Sequence, residues 1–408
     1  MHSSTQYAWR VFLFLIVLPV ASMGCQPRQI ISDEYLQEID VAILEAIDTG
    51  TLPGAVVLIT HQGDPVYRKA FGDRSLDPVV EPMTTETIFD LASLTKVIAT
   101  APSVMALIDD GEIHLHDSVS DYIAGFEQHG KTDITIEHLL THVSGLRPHF
   151  PLEVEFEGFD VAIDRATREQ LEAMPGERFI YSDINFLLLG AIVEKVSGQS
   201  LDAFSKHRIF EPLGMTDTLF LPSHEMQARI APTESCGRLA WPCGGPNAEM
   251  LRGTVHDPTA RRMGGTAGHA GLFGTADDLA LFGAMMLGGG HLTPDGPAVL
   301  SSHTVARMTT PATPPHLDES RGLGWDIDSR FSSNRGDLFS EHSYGHTGFT
   351  GTSIWIDPET STVVVFLSNR VHPDGDGNIN ALRGRVATLA AAAVTGVQPT
   401  QPNSSTSN

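Results

Sequence analysis

Cysteine is almost missing from this chain: there are 3 in 408 residues, at positions 25, 236 and 243. The run Cys236-Gly-Arg-Leu-Ala-Trp-Pro-Cys243 has the wrong spacing for a zinc knuckle, and no second pair exists to complete one. Basic residues are also scarce. Lys and Arg total 26 against 50 Asp and Glu, a formal net charge of −24, which argues against nucleic acid or anionic lipid as a partner. The apolar run at residues 11–20 is half the roughly 20 residues that a membrane-spanning helix needs. No H-E-x-x-H is present; His138 and His142 stand i, i+4 on a predicted helix, as metal ligands can, but no metal site is expected from them. No internal repeat and no linker divides the chain.

Arg10 precedes the run at 11–20, and Ala21, Ser22 and Gly24 lead to Cys25. Residues 1–24 therefore read as a secretory signal peptide. Ser22-Met-Gly-Cys25 resembles a bacterial lipobox, with Ser22 where leucine is usual. Lipidation of Cys25 is expected, making 25–34 a tether on the periplasmic face of the cell envelope; ordinary cleavage nearby with a free Cys25 is the alternative. With Cys25 acylated, Cys236 and Cys243 remain as an even pair. An oxidising compartment would let them close as a disulfide, two unpaired buried thiols being the alternative. Residues 397–408 have almost no apolar side chains and are expected to be a disordered tail.

Ser32 can cap a helix whose Leu36, Ile39, Ile43 and Ile47 form one apolar stripe, ended by Gly50. Residues 54–60 and 66–71 read as paired strands about a turn at 61–64. A helix is predicted from about 93 to 110, bent by Pro102 and followed by Gly111 at C′. A helix-rich region runs to about 310. A second hairpin is predicted over 351–357 and 362–368, and an Ala-rich helix over 378–395. Strands at both ends around a helical middle imply an α+β protein. One antiparallel sheet of five or more strands would combine both ends of a single domain, 35–396, with the end helices on one face and the helical region on the other.

Ser93-Leu-Thr-Lys96 places a hydroxyl and an amine one helical turn apart, so that the amine can help the serine lose its proton. S-x-x-K alone occurs about once by chance in a chain of this length. Two further elements follow in order: Tyr181-Ser182-Asp183 and His346-Thr347-Gly348. Together they resemble the penicillin-recognising serine hydrolases: class C β-lactamases, DD-peptidases and related serine esterases. Segments 134–146, 209–218 and 268–279 are similar to the family as well, so the likeness covers roughly residues 35 to 395. It implies a β-lactamase/transpeptidase-like fold and acyl transfer through a serine intermediate, with no cofactor.

The resemblance assigns Ser93 as nucleophile and Lys96 and Tyr181 as the proton-transfer pair, with the backbone N–H groups of Ser93 and Phe349 as the oxyanion hole. Free tyrosine has a pKa of about 10, so a phenolate near neutral pH needs adjacent positive charge. Asp183, Asn185, His346, Thr347 and Gly348 would line the substrate site. Asp183 stands where Asn is common, and could orient Lys96 or contact substrate; Asn185 would share the amide-binding task. His346 replaces a usual lysine and is expected to be partly charged, with a rate that changes between about pH 5.5 and 7.5 if its pKa stays ordinary. Weak β-lactam activity follows. No E-x-x-L-N pattern is present, which favours the tyrosine-based branch.

Val255-His256-Asp257 and Gly268-His269-Ala270 resemble a cell-wall-linked subgroup, placing His269 at the pocket rim; a loop histidine satisfied by backbone groups is the alternative. Arg261 and Arg262 would bind a carboxylate or brace the loop. The expected protein is an exported serine hydrolase acting on peptidoglycan-derived fragments or another small-molecule substrate, touching the membrane only through its lipid. A carboxylesterase and a penicillin-binding sensor lipoprotein with little turnover are the alternatives.

Overall fold

The computed structural model describes residues 31–243, 249–293 and 295–394. The signal segment, Cys25 and the tail at 397–408 lie outside the described residues.

The N-terminal helix Asp33–Asp48 buries Leu36, Ile39, Ala42 and Ile43. Ser32 holds the N-cap position, although its side chain makes no capping hydrogen bond. Gly50 follows at φ 71°, the left-handed conformation that ends a helix most easily at glycine. Among the described residues eleven strands follow: β1 (Gly54–His61), β2 (Asp64–Ser75), β3 (Glu81–Pro82), β4 (Phe89–Asp90), β5 (Leu219–Phe220), β6 (Leu272–Gly274), β7 (Ser320–Arg321), β8 (Asp326–Asp328), β9 (Tyr344–Thr347), β10 (Ser353–Asp357) and β11 (Thr362–Ser368). Eight form one sheet in the order β3-β2-β1-β11-β10-β9-β8-β7. Its pairings are antiparallel. A small sheet, β4-β6-β5, sits in the helical region.

Ala55, Val57 and Ile59 join Val364 and Phe366 beneath the N-terminal helix and the C-terminal helix Asn380–Val394. Val56 and Leu58 join Val363, Val365 and Leu367 in the larger core under the helical region. Both faces are covered, so every position of β1 and β11 is buried. That is why these strands read as unbroken apolar runs instead of alternating ones.

The helix expected over 93–110 has three parts: a 3-10 turn Ala92–Leu94, a π turn Lys96–Thr100 and an α-helix Ala101–Asp109. Pro102 has no N–H to give a regular i→i−4 bond, and the wide π turn ends just before it, with the Ala101 N–H donating to the Lys96 carbonyl. Gly111 stands at φ 74°, as expected. The helix expected to carry both His138 and His142 ends at Leu140. His142 is outside it at φ 59°.

Candidate active site

The Ser93 turn begins with strain. Ala92, a residue with a Cβ, is held at φ 48°, a conformation that costs about 1–3 kcal/mol. Its N–H donates to Asp90 Oδ1 at 2.9 Å, and the other Asp90 oxygen accepts from the His256 N–H at 2.7 Å. From the π turn, Lys96 Nζ reaches three acceptors: Ser93 Oγ at 2.9 Å, the His269 carbonyl at 3.0 Å and Asp183 Oδ1 at 2.8 Å. Lys96 is fully buried. Burial opposes its charge, but Asp183 and Tyr181 outweigh that cost and hold its pKa above the usual lysine value.

Tyr181 precedes the helix Asp183–Ser197, whose first residue supplies the Lys96 partner. Lys96 Nζ lies 5.1 Å from the Tyr181 ring centroid. The other face of the site is aromatic: His142 stacks on Tyr181 at 4.4 Å, with Phe331 at 5.2 Å and His346 at 6.0 Å. The helix also fixes the wall that carries His269. Gly190 packs on Gly268, where an added Cβ would stand 1.9 Å from the Phe186 carbonyl oxygen.

The third element arrives on β9. Gly348 packs against Leu91, two residues before the Ser93 turn, and its N–H is spent on the Thr352 carbonyl at 2.7 Å. Its visible contribution is this close approach. Phe349 follows with its side chain 59 % exposed. Ser93, Tyr181 and Phe349 border two cavities that flank the serine. The larger, about 490 Å³, is walled by Leu152, Leu239, Ala240, Pro258, Ala270 and His269. The smaller, about 180 Å³, includes Arg321, Asp326, Phe331, His346 and Thr347.

Several expectations change. His346 is buried, and its Nδ1–H donates to the Thr347 carbonyl at 2.9 Å. Burial, then Arg321 and Lys96, push its pKa well below the ordinary value, so it is neutral where partial charge was expected. Asn185 faces the interior, not the cleft: its Oδ1 accepts from Ser144 Oγ at 2.6 Å and its amide lies 3.4 Å from His142 Nδ1. His138 Nδ1 accepts from the Thr135 N–H and His142 Nδ1 from the Ser182 N–H, so each imidazole caps backbone. Among the described residues no cluster of three or more His, Cys, Asp or Glu side chains could hold a metal ion.

Of the two uses open to Asp183, pairing with Lys96 is the one made. His269 lines the cleft wall and is held by a carboxylate, its Nε2 3.0 Å from Asp257 Oδ1, in place of the backbone partners considered for it. Arg261 and Arg262 brace loops, donating to the carbonyls of Val255 and His256 and of Trp241, Leu152 and Val154. Cys236 and Cys243 are joined in a disulfide. Sequence reasoning missed Arg321 and Asp326, both buried in the smaller cavity. Their spacing across Gly322 and Gly324 carries no motif, and only the antiparallel pairing of β7 with β8 brings them together.

Comparison with known proteins bears on the chain as a whole. The family model described as Beta-lactamase matches residues 39–389. A protein of Escherichia coli O157:H7 named "Putative D-alanyl-D-alanine carboxypeptidase" is 35% identical over 385 residues, covering 87% of this chain and 86% of that one. A protein of the same name from Salmonella typhimurium is 33% identical over 390 residues, covering 88% of each. Among solved structures, the octameric penicillin-binding protein homologue from Pyrococcus abyssi is similar at a TM-score of 0.65 and 26% identity, covering 82% of this chain and 73% of that one. A penicillin-binding protein homologue from Caulobacter crescentus shares the fold at a TM-score of 0.70 and 19% identity, covering 90% and 99%.

Proposed function

Since the chain belongs to the Beta-lactamase family and is a serine hydrolase of the β-lactamase and DD-peptidase type, we propose that it cleaves amide bonds in peptidoglycan-derived peptides through an acyl-enzyme on Ser93. The observation that carries this reading is the triple engagement of Lys96 with Ser93, Asp183 and the His269 carbonyl. An ammonium that donates to Ser93 Oγ cannot also accept its proton. The proton therefore passes to the Tyr181 oxygen, which must be a phenolate to accept it, as Ser93 Oγ bonds to the substrate carbonyl carbon; the Lys96 ammonium beside the ring offsets the phenolate charge. The backbone N–H groups of Ser93 and Phe349 receive the carbonyl oxygen as it becomes an oxyanion. Collapse of that intermediate breaks the amide C–N bond, and the leaving amine takes the proton from Tyr181. Water then attacks the acyl-serine carbonyl as Tyr181 accepts its proton; collapse breaks the acyl C–Oγ bond, the carboxylic acid leaves, and Tyr181 returns the proton to Ser93 Oγ.

The substrate class draws its support from the relative at 35% identity that is named for a D-alanyl-D-alanine carboxypeptidase. Weak action on β-lactams is part of the same reading, because neutral His346 offers little attraction to their carboxylate. An esterase is the second reading. It is favoured by the larger cavity, whose lining of Leu152, Leu239, Ala240, Pro258 and Ala270 suits an apolar ester group. Export and a lipid on Cys25 complete the proposal; Cys25→Ala should abolish labelling of the protein by palmitate in cells.

The deciding experiment incubates the soluble form with a muramyl pentapeptide, a p-nitrophenyl ester and a fluorescent penicillin. Release of D-alanine, lost in Ser93→Ala and Tyr181→Phe, is the expected result. Rapid ester turnover without peptide cleavage would move the assignment to an esterase. Turnover that survives Ser93→Ala would remove the nucleophile, and stable labelling without turnover would indicate a sensor.

A further inference from the structure

Arg321 has no part in the mechanism above. It lies on β7, two strands from His346 in the sheet order. Its guanidinium is wholly buried, 5.9 Å from the Tyr181 ring centroid and 5.6 Å from that of Phe179. It has one carboxylate partner, Asp326, at 3.3 Å, and one hydrogen bond, from Nη2 to the Gly324 carbonyl at 3.0 Å. Nη1 is the atom that faces Asp326, without making a hydrogen bond to it, and Nε is buried with no protein acceptor. A buried guanidinium with so few partners is costly, and an apolar side chain could fill the same space at no loss of stability. Its position beside the tyrosine that is to lose a proton gives that cost a use.

We propose that Arg321 is a positioning residue that supplies, from β7, the second fixed positive charge beside Tyr181, the one that a lysine in the third motif would otherwise bring. The inference rests on the reading of Tyr181 as the proton acceptor. The groups facing Tyr181 are Lys96 with its partner Asp183, His142, His346, and Arg321 with its partner Asp326. Arg330 lies over Phe179 and Phe331, and the Asp257–His269 pair borders the larger cavity that Tyr181 also lines. Both imidazoles are kept neutral by burial and by the neighbouring cations. Lys96 and Arg321 are therefore the two standing cations, and Asp183 and Asp326 the two charges that screen them. Asp326 is itself held by the Ser329 and Ser332 hydroxyls at 2.7 and 3.0 Å, which turns part of its negative charge away from Arg321. A cation at this range favours phenolate over phenol, and each unit of pKa changes the reactive fraction tenfold on the acid limb.

The test is the pH profile of kcat/KM for a p-nitrophenyl ester. In Arg321→Met/Asp326→Asn, which leaves no orphaned carboxylate, the acid limb should move up by about one pH unit, with kcat falling about tenfold on that limb and KM nearly unchanged. Adding His346→Lys to that background should return the limb toward its original position. Asp326→Asn alone, which leaves Arg321 in place and unscreened, should move it down. An acid limb that stays put in either the double variant or Asp326→Asn overturns the proposal, as does a failure of His346→Lys to restore it. If the double variant does not fold, Asp326→Asn decides by the sign of its shift. Tyr181→Phe separates the two levels of argument: full activity there removes the proton-acceptor reading itself. Lost activity there with an unmoved limb elsewhere removes Arg321 alone.

Discussion

Gly348 lies so close to Leu91 that an added Cβ would stand 2.5 Å from the Leu91 carbonyl oxygen and 2.1 Å from Thr352 Oγ1. Around it, Thr350 Oγ1 donates to the Asp90 carbonyl at 2.7 Å and Thr352 Oγ1 to the Leu91 carbonyl at 3.0 Å. The segment after β9 is thus stitched to the chain entering the Ser93 turn. Gly348→Ala should push the two apart. Expected are a loss of about 1–3 kcal/mol in stability and a drop of at least about tenfold in ester turnover. Thermal unfolding and steady-state kinetics check this together; near wild-type turnover would show that the two segments need not touch.

Asp183→Asn should cost about 3 kcal/mol at pH 7, because it leaves a buried ammonium without its partly exposed carboxylate. The pKa of Lys96 is raised in the folded state, so the stability it contributes is complete below the ordinary lysine value of about 10.4. It is lost only as pH rises through the higher folded value. Wild-type stability should therefore show no loss from this pair between pH 7 and 9. In Asp183→Asn, desolvation is no longer outweighed, and the loss should begin at lower pH. Chemical denaturation across that range would show it, and parallel curves for the two proteins would contradict it.

His142 and His346 act in the opposite direction. Burial, ahead of Arg321 and Lys96, lowers both pKa values in the folded protein. The unfolded chain then binds protons that the folded one refuses, so stability is full above about pH 6.5 and falls as pH drops below it. Each histidine can contribute up to about 1.4 kcal/mol per pH unit to that slope. His346→Gln should make the acid slope shallower while leaving the shape of the rate profile between pH 5.5 and 7.5 unchanged. A rate profile that flattens in His346→Gln would mean that the imidazole titrates after all.

The disulfide closes a loop that places Leu239 and Ala240 on the wall of the larger cavity. By chain entropy a loop this short contributes about 2 kcal/mol. Cys236→Ser/Cys243→Ser should raise KM for an apolar ester more than it lowers kcat, because the wall loses its brace while Ser93 and Lys96 are untouched. Equal losses in both constants would show that the loop reaches the reacting atoms.

The parts of the site that were readable beforehand are those whose geometry is local. Ser93 and Lys96 meet because they are one turn apart, and Asp183 reaches Lys96 because it opens a helix. The apolar runs at 54–60 and 362–368 are readable as strands for the same reason. The rest depends on tertiary placement. The sequence places His142 on the same helix as His138, but the helix ends at Leu140 and the chain turns left-handed at His142. Asn185 looked available until the start of its helix at Asp183 turned it inward, onto Ser144. Strands as short as β7 and β8 leave no alternation to detect, so Arg321 could not be distinguished from an ordinary loop cation. The charge of His346 follows from depth within the protein, which no motif records.

His61 on β1 and Thr362 on β11 are hydrogen-bonded neighbours 301 positions apart. During synthesis the Ser93 segment therefore leaves the ribosome long before the strand that flanks β1 has been made. Until then β1 has an unpaired edge, and closing so long a loop is slow. A nascent or C-terminally clipped chain would carry the hydroxyl and the amine without the scaffold that aligns them, so hydrolytic competence waits for β11 to be made and paired with β1.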